Sequence, residues 1–350
     1  MKKILSLFLT ALLLVSCCFP AGAVSMSKGL AALQATFLNG DAPNFDYVYY
    51  SPVKSSSDKT KYPLIIWLHG QFSSVYPRDQ LVSYDIALWA ADENQEKIRG
   101  TGGAFLYLPR DPQVDIAWSG ETAGLMQDIK LFVKTYGSNI DTNRIYIGGL
   151  SMGGRGAYRM AAAYPDYFAA LYLLSPVYNP SDVELRSIRN IPVWLISCKN
   201  DYLVSHTTIE NAWRYLNQYS NAPHKNRWSL FDTLMMVKSD GTPIVSPIYA
   251  THDTWTAGCA DLFMNNKTPY KYMSVVNGNG YTVKMEYPKG LLYWMSSQGY
   301  DENSGNSGNS GSSGSDNGSS GGNTSYNPLS GNIFQKIFEL FRRMIQVIMG

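Results

Sequence analysis

The chain has 350 residues, 45% of them apolar, which is enough to bury one large core or two small ones. Lys and Arg number 29 against 27 Asp and Glu, a formal net charge of +2, so composition offers no argument for binding nucleic acid. There are 4 cysteines, with no C-x-x-C or H-E-x-x-H spacing, and so no sequence signal for a metal or other cofactor.

Residues 1–23 read as a bacterial-type signal peptide. Lys2 and Lys3 precede an apolar run from Ile4 to Val15, and Ala21-Gly22-Ala23 gives an A-x-A cleavage pattern. The run is too short to span a bilayer as a helix. Leu14-Val15-Ser16-Cys17 also resembles a lipobox, so a lipoprotein anchored at Cys17 is the alternative to simple secretion. Either route places the mature protein outside the cytoplasm.

A helical stretch is expected around Leu30 to Leu38, followed by an edge strand over Phe45–Tyr50, where apolar and polar residues alternate. Tyr62 to Leu68 is a continuous apolar run, the mark of a parallel strand covered on both faces, and His69-Gly70-Gln71 ends it. Strands at Ala104–Leu108, Arg144–Ile147, Ala169–Leu174 and Pro192–Ser197 alternate with helices at Leu125–Tyr136, Arg155–Ala163 and Thr207–Tyr219. This order predicts an α/β domain over 24–300 with a mostly parallel central sheet and helices on both faces. A strand at Pro243–Tyr249, a late hairpin (Lys271–Val276 with Tyr281–Tyr287, turning at Asn277-Gly278-Asn279-Gly280) and a closing helix at Gly290–Gln298 complete it.

Beyond Tyr300 the composition changes. Residues 301–330 are rich in Gly, Ser and Asn, a flexible linker with nothing to bury. In 331–350, Ile333, Ile337, Leu340, Phe341, Met344 and Ile348 recur at helical spacing opposite Gln335, Glu339, Arg342 and Gln346. The pattern is an amphipathic helix carrying Lys336, Arg342 and Arg343, suited to docking on a membrane surface, the cell envelope or a partner.

One stretch carries chemistry. Arg144 to Leu150 runs as a strand into Ser151, with Gly149 and Gly153 around it as G-x-S-x-G, and a helix follows. A serine on such a sharp strand-to-helix turn stands clear of the sheet, and the helix N-terminus offers unpaired N–H groups to a developing oxyanion. Serine is a weak nucleophile and needs a histidine base oriented by a carboxylate. His69 lies upstream, leaving His206, His224 and His252 for a base that follows the serine. His252, in His252-Asp253-Thr254-Trp255, sits on a loop from which a base can reach inward. His206 opens a helix and His224 lies in a polar turn, so both read more simply as surface residues. For the acid, Asp201 follows the apolar strand Val193–Ser197; Asp182, Asp232 and Asp253 compete with it.

Trp67-Leu68-His69-Gly70, the strand and elbow from Arg144 to Gly154, Asn200-Asp201-Tyr202-Leu203-Val204 and His252-Asp253-Thr254-Trp255 together resemble secreted esterases of the α/β-hydrolase superfamily. The nearest types are feruloyl and acetyl-xylan esterases, polyhydroxybutyrate depolymerases and the related "predicted peptidases" of the prolyl-oligopeptidase kind. The resemblance covers Tyr47 to Gln298. It implies an α/β-hydrolase fold with Ser151 as nucleophile, Asp201 as acid and His252 as base. It further implies an oxyanion hole from the backbone N–H groups of Met152 and Gln71, although Gln71-Phe72 stands where the family often has a second glycine. No cofactor is required. The implied substrate is a small-molecule or polysaccharide-linked ester; a peptidase and an inactive surface-binding module are the alternatives. Trp118, Tyr178, Tyr202 and Trp255 are aromatic candidates for lining a sugar or phenolic pocket. Cys198 and Cys259 flank the proposed acid and base and are candidates for a disulfide that would close a loop of about sixty residues.

Overall fold

The computed structural model describes residues 30–71, 81–82, 85–113, 117–120, 122–199, 201, 203–231, 252, 254, 273–277, 282–283 and 290–300. All of them belong to the unit Met1–Tyr300. The leader, the linker, the tail helix, the strand expected at Pro243–Tyr249, Cys259, Tyr202 and Trp255 lie outside the described residues.

Strands β1 (Leu38–Asp41), β2 (Asp46–Tyr50), β3 (Tyr62–Leu68), β4 (Phe105–Pro109), β5 (Ile140–Leu150), β6 (Ala170–Leu174), β7 (Val193–Cys198), β8 (Arg227–Phe231), β9 (Met273–Asn277) and β10 (Thr282–Val283) form one sheet. Its order is β1-β2-β4-β3-β5-β6-β7-β8-β9-β10. From β4 through β8 every neighbouring pair is parallel, while the outer pairs on both sides are antiparallel. The sheet is therefore mostly parallel, as the strand–helix alternation requires. Helices α1 (Leu30–Gln34), α2 (Asp92–Gln95), α3 (Thr122–Thr135), α4 (Met152–Ala163), α5 (Asp182–Ser187), α6 (His206–Tyr219) and α7 (Gly290–Ser296) accompany it.

The continuous apolar runs are explained by two cores, one on each face. On β3, Ile65 and Trp67 belong to one core, whereas Leu64, Ile66 and Leu68 belong to the other. The same alternation divides Tyr172 from Leu171 and Leu173 on β6, and Trp194 and Ile196 from Val193 and Leu195 on β7. α1 and α7 cover the first face; α3, α4, α5 and α6 cover the second. Much of the chain's tyrosine and tryptophan is spent here. Tyr172 donates from its hydroxyl to the Ile66 carbonyl at 2.6 Å, Tyr146 to the Gln298 carbonyl at 2.9 Å, and Trp194 from Nε1 to Ser229 Oγ at 2.9 Å. Each of these buries a large ring and leaves its polar end satisfied.

The structure differs from the expectation in several places, α2 among them, for which the sequence reading gives no element. Helix α1 stops at Gln34, and Leu38 begins β1, which pairs antiparallel with β2 on the open edge of the sheet. Residues 227–231, for which the sequence reading gives no element, are the parallel strand β8; its Trp228 and Ser229 are buried, and Trp228 donates to Ser197 Oγ at 2.8 Å. Short α5 was not expected, although its capping box is readable: Ser181 and Glu184 each accept from the other's backbone N–H.

Candidate active site

The site lies where the strand order reverses. β3 is followed in sequence by β4 on one side of it, and then by β5 on the other. At such a switch point the carboxyl ends of adjacent strands leave the sheet in different directions and open a crevice. Leu68 pairs with Gly149, so the His69–Gly70 turn and the Leu150–Ser151 turn emerge side by side.

The elbow is forced by backbone crowding. Ser151 has φ of 53°, a left-handed conformation that is rare for a residue with a side chain. Its N–H donates to the Leu174 carbonyl at 2.9 Å, and its carbonyl accepts from Val177 N at 3.0 Å, so β6 holds the turn from below. A Cβ on Gly153 would lie 1.9 Å from the Leu68 carbonyl oxygen, and one on Gly149 would lie 2.2 Å from the same atom. Only glycine fits at either position, which is the physical content of the G-x-S-x-G spacing. Met152 opens α4, so its N–H belongs to the first turn, whose donors have no intrahelical acceptor.

The structure brings Ser151, His252 and Asp201 together. The Ser151 hydroxyl donates to His252 Nε2 at 3.0 Å, and His252 Nδ1–H donates to Asp201 Oδ2 at 2.8 Å. The carboxylate is acceptor-only, which sets the proton on Nδ1 and leaves Nε2 able to take the serine's proton. The other Asp201 oxygen accepts from Leu203 N at 2.8 Å and Val204 N at 3.0 Å. All three side chains are buried, so their hydrogen bonds are shielded from competing water. His206 is the first residue of α6 and His224 is exposed in a short turn; neither is bonded to Ser151.

Two supporting features escaped the sequence. Ser175 and Thr254 hydroxyls bond at 2.9 Å, and Thr254 N donates to the His252 carbonyl at 2.8 Å. They fasten the base's loop to the end of β6. The second feature braces the His-Gly turn. His69 is buried; its Nδ1–H donates to the Gly70 carbonyl at 2.7 Å and its Nε2 accepts from Asp111 N at 3.0 Å. Trp118 Nε1 donates to the His69 carbonyl at 2.7 Å, and Ala117 N donates to Gln71 Oε1 at 3.0 Å. Burial pushes the His69 pKa down to about 4, so the ring is neutral, as both bonds require. A Cβ on Gly70 would lie 3.6 Å from Ser151 Cβ, so the braced turn borders the serine. The signal for this brace was the Asp111-to-Trp118 pair at the end of β4, unreadable without knowing that β3 and β4 are neighbours.

Other candidates are placed elsewhere. Trp118 is buried as part of the brace, and Tyr178 donates from its hydroxyl to Glu184 on α5. Cys198 ends β7, buried in the core. Among the described residues, no three His, Cys, Asp or Glu side chains gather as a metal site.

Residues 132–255, which hold the whole Ser151, Asp201 and His252 set, match the model of the Esterase family, described as "Putative esterase". A solved thermostable esterase is similar over 65% of this chain and 61% of its own, with 22% identity and a TM-score of 0.50. This chain thus spans about three fifths of that enzyme's length. An acylaminoacyl peptidase of Pyrococcus horikoshii matches at 14% identity over 53% of this chain and 35% of its own, with a TM-score of 0.37. A predicted CIB-like hydrolase of Thermoplasma acidophilum matches at 18% identity over 53% and 83%, with a TM-score of 0.38. No curated protein matches the chain. The fold is that of the α/β-hydrolases, as the sequence motifs implied, and residues 132–255 are similar to an esterase family.

Proposed function

We propose that this protein hydrolyses carboxylic esters through an acyl-enzyme on Ser151. The observation that carries the reading is the bonded series Ser151 Oγ, His252 Nε2, His252 Nδ1 and Asp201 Oδ2, with contacts of 3.0 and 2.8 Å, on a left-handed serine. His252 removes the hydroxyl proton as Ser151 attacks the acyl carbonyl, and Asp201 stabilises the imidazolium. The N–H groups of Met152 and Gln71 receive the oxyanion, and His252 returns its proton to the leaving alkoxide. Water, activated by the same histidine, then releases the acid. An ester suits this set better than an amide, because an alkoxide needs less protonation to leave than an amine. Acetyl or feruloyl esters on plant polysaccharide are the substrates that the resemblance to secreted esterases implies.

The leader supports export, by simple secretion or as a lipoprotein at Cys17, and the tail supports tethering of the enzyme near a surface by a flexible linker. Purified full-length protein should hydrolyse p-nitrophenyl acetate, and a fluorophosphonate should label Ser151. Ser151→Ala and His252→Ala should each remove nearly all turnover, while His206→Ala leaves it intact. Undiminished turnover in Ser151→Ala would overturn the reading. Faster cleavage of peptide amides than of every ester offered would overturn the reaction class.

A further inference from the structure

Among the described residues, Trp118, Ser151 and Ser175 are the non-glycine residues with a left-handed backbone, and Trp118 has φ of 60°. Ser151 is at the elbow, and Ser175 fastens the loop of the base. A residue with a side chain persists in that conformation only where its surroundings over-determine it. Those of Trp118 do so. Its N–H donates to Asp111 Oδ2, its carbonyl accepts from Arg159 Nη1 at 2.9 Å, and its indole Nε1 donates to the His69 carbonyl at 2.7 Å. Its buried ring lies 4.8 Å from the His69 ring, centroid to centroid.

These contacts join the two elements that carry the proposed oxyanion donors. An oxyanion hole works only if its donors keep the spacing that the developing anion requires. Met152 N–H opens α4, whereas Gln71 N–H belongs to the turn beyond β3. On the α4 side, Arg159 holds the Trp118 carbonyl, and Gly156 meets the residue directly: a Cβ there would lie 2.8 Å from Trp118 Cβ. On the turn side, the indole bond fixes the His69–Gly70 peptide, and His69 Nδ1–H holds the next carbonyl, that of Gly70, at 2.7 Å. The N–H and C=O of a trans peptide point in opposite directions, so a held Gly70 carbonyl sets the direction of Gln71 N–H. The Gln71 side chain adds a further tie, since its Oε1 accepts from the N–H of Ala117, the neighbour of Trp118, at 3.0 Å.

We propose that Trp118 is a positioning residue for ester hydrolysis, setting the spacing between Gln71 N–H and Met152 N–H through its bond to His69 and its packing on Gly156. The role rests on the esterase reading of Ser151 and deepens it, because it names what keeps two donors from separate elements in register.

The test compares full-length Trp118→Phe, Gly156→Ala and Trp194→Phe with the parent. Trp118→Phe keeps a ring and removes the indole N–H; Gly156→Ala pushes on Trp118 from the helix side. Trp194→Phe loses an indole bond of the same kind, to Ser229 Oγ at 2.9 Å, in the core of the opposite face. The readouts are kcat and KM for p-nitrophenyl acetate, and Ki for phenyl trifluoromethyl ketone. Ser151 Oγ adds to the carbonyl carbon of that ketone, its proton passes to His252 Nε2, and the carbonyl oxygen becomes an anion in the hole. Trp118→Phe and Gly156→Ala should each lower kcat about tenfold, leave KM within about twofold and raise Ki about tenfold. Trp194→Phe should leave kcat and Ki within about twofold, whatever it costs in stability. The proposal is overturned if kcat and Ki stay within about twofold of the parent in Trp118→Phe, or if Trp194→Phe loses as much in both. Should Trp118→Phe fail to fold, Gly156→Ala decides by the same limits. A parent that binds the ketone yet turns over no ester would instead overturn the esterase reading, and the Ki series then judges Trp118 by itself.

Discussion

His69 should make this protein lose stability in acid, and by a calculable amount. The imidazole is buried and neutral, with its pKa pushed down from 6.5 to about 4 by burial. In the unfolded chain it returns to the ordinary value. Between those two values the unfolded state binds a proton that the folded state refuses, so stability is fully present above the unfolded pKa and falls as the pH drops toward the folded one. Each unit of that interval is worth about 1.36 kcal/mol. At about pH 5 the loss is about 2 kcal/mol, and below the folded pKa it approaches about 3 kcal/mol. His69→Gln removes the titration while keeping an amide oxygen to accept from Asp111 N. Urea unfolding followed by tryptophan fluorescence, at about pH 8 and about pH 5, measures both proteins. At the higher pH the variant should be less stable by about 1–3 kcal/mol, from one disturbed buried hydrogen bond. Between the two pH values the parent should lose about 2 kcal/mol more than the variant. Identical pH dependence in both would refute the claim that a neutral His69 braces the turn.

Other outcomes follow from the same geometry. Asp201→Asn presents an N–H to His252 Nδ1, favours the wrong tautomer and should lower kcat by about 10^4, while a fluorophosphonate still labels Ser151 slowly; a variant within tenfold of the parent would remove Asp201 from its role. Gly153→Ala sets a methyl against two backbone carbonyls, 1.9 Å from Leu68 O and 2.7 Å from His69 O, so thermal unfolding should show a loss of several kcal/mol or no soluble product. Ser175→Ala, Thr254→Val and the double variant should give a coupling energy of about 1 kcal/mol in stability, and each single variant should lower kcat with little change in KM. Additive stabilities would mean that this hydroxyl pair does not anchor the base's loop.

The parts legible in the sequence were those written over short distances. Tyr62–Leu68 reads as a doubly covered strand because both faces demand apolar residues, and the two cores meet on it as required. The elbow was legible for the same reason, since its glycines answer contacts at one turn of chain. The misreadings have local causes too. The stretch from Leu30 to Ala35 consists of strong helix formers, yet Thr36 and Phe37 weaken the pattern and antiparallel pairing with Tyr49 claims Leu38. Arg227–Phe231 alternates over only four residues, too short a run to stand out, and becomes a strand because β7 offers it a parallel edge and a buried partner for Trp228.

By itself the sequence determined an α/β domain, most of its strands and the serine of the elbow, because periodicity and backbone crowding act within a few residues. Only the tertiary structure decided which histidine and which aspartate reach that serine. His252 lies 101 residues from Ser151 and 51 from Asp201, and their meeting depends on β5, β6 and β7 lying side by side with carboxyl ends aligned. The brace at His69 has the same origin. Asp111 and Trp118 reach it because β3 and β4 are neighbours, and strand neighbours are chosen by the packing of two whole faces rather than by any residue's own preference.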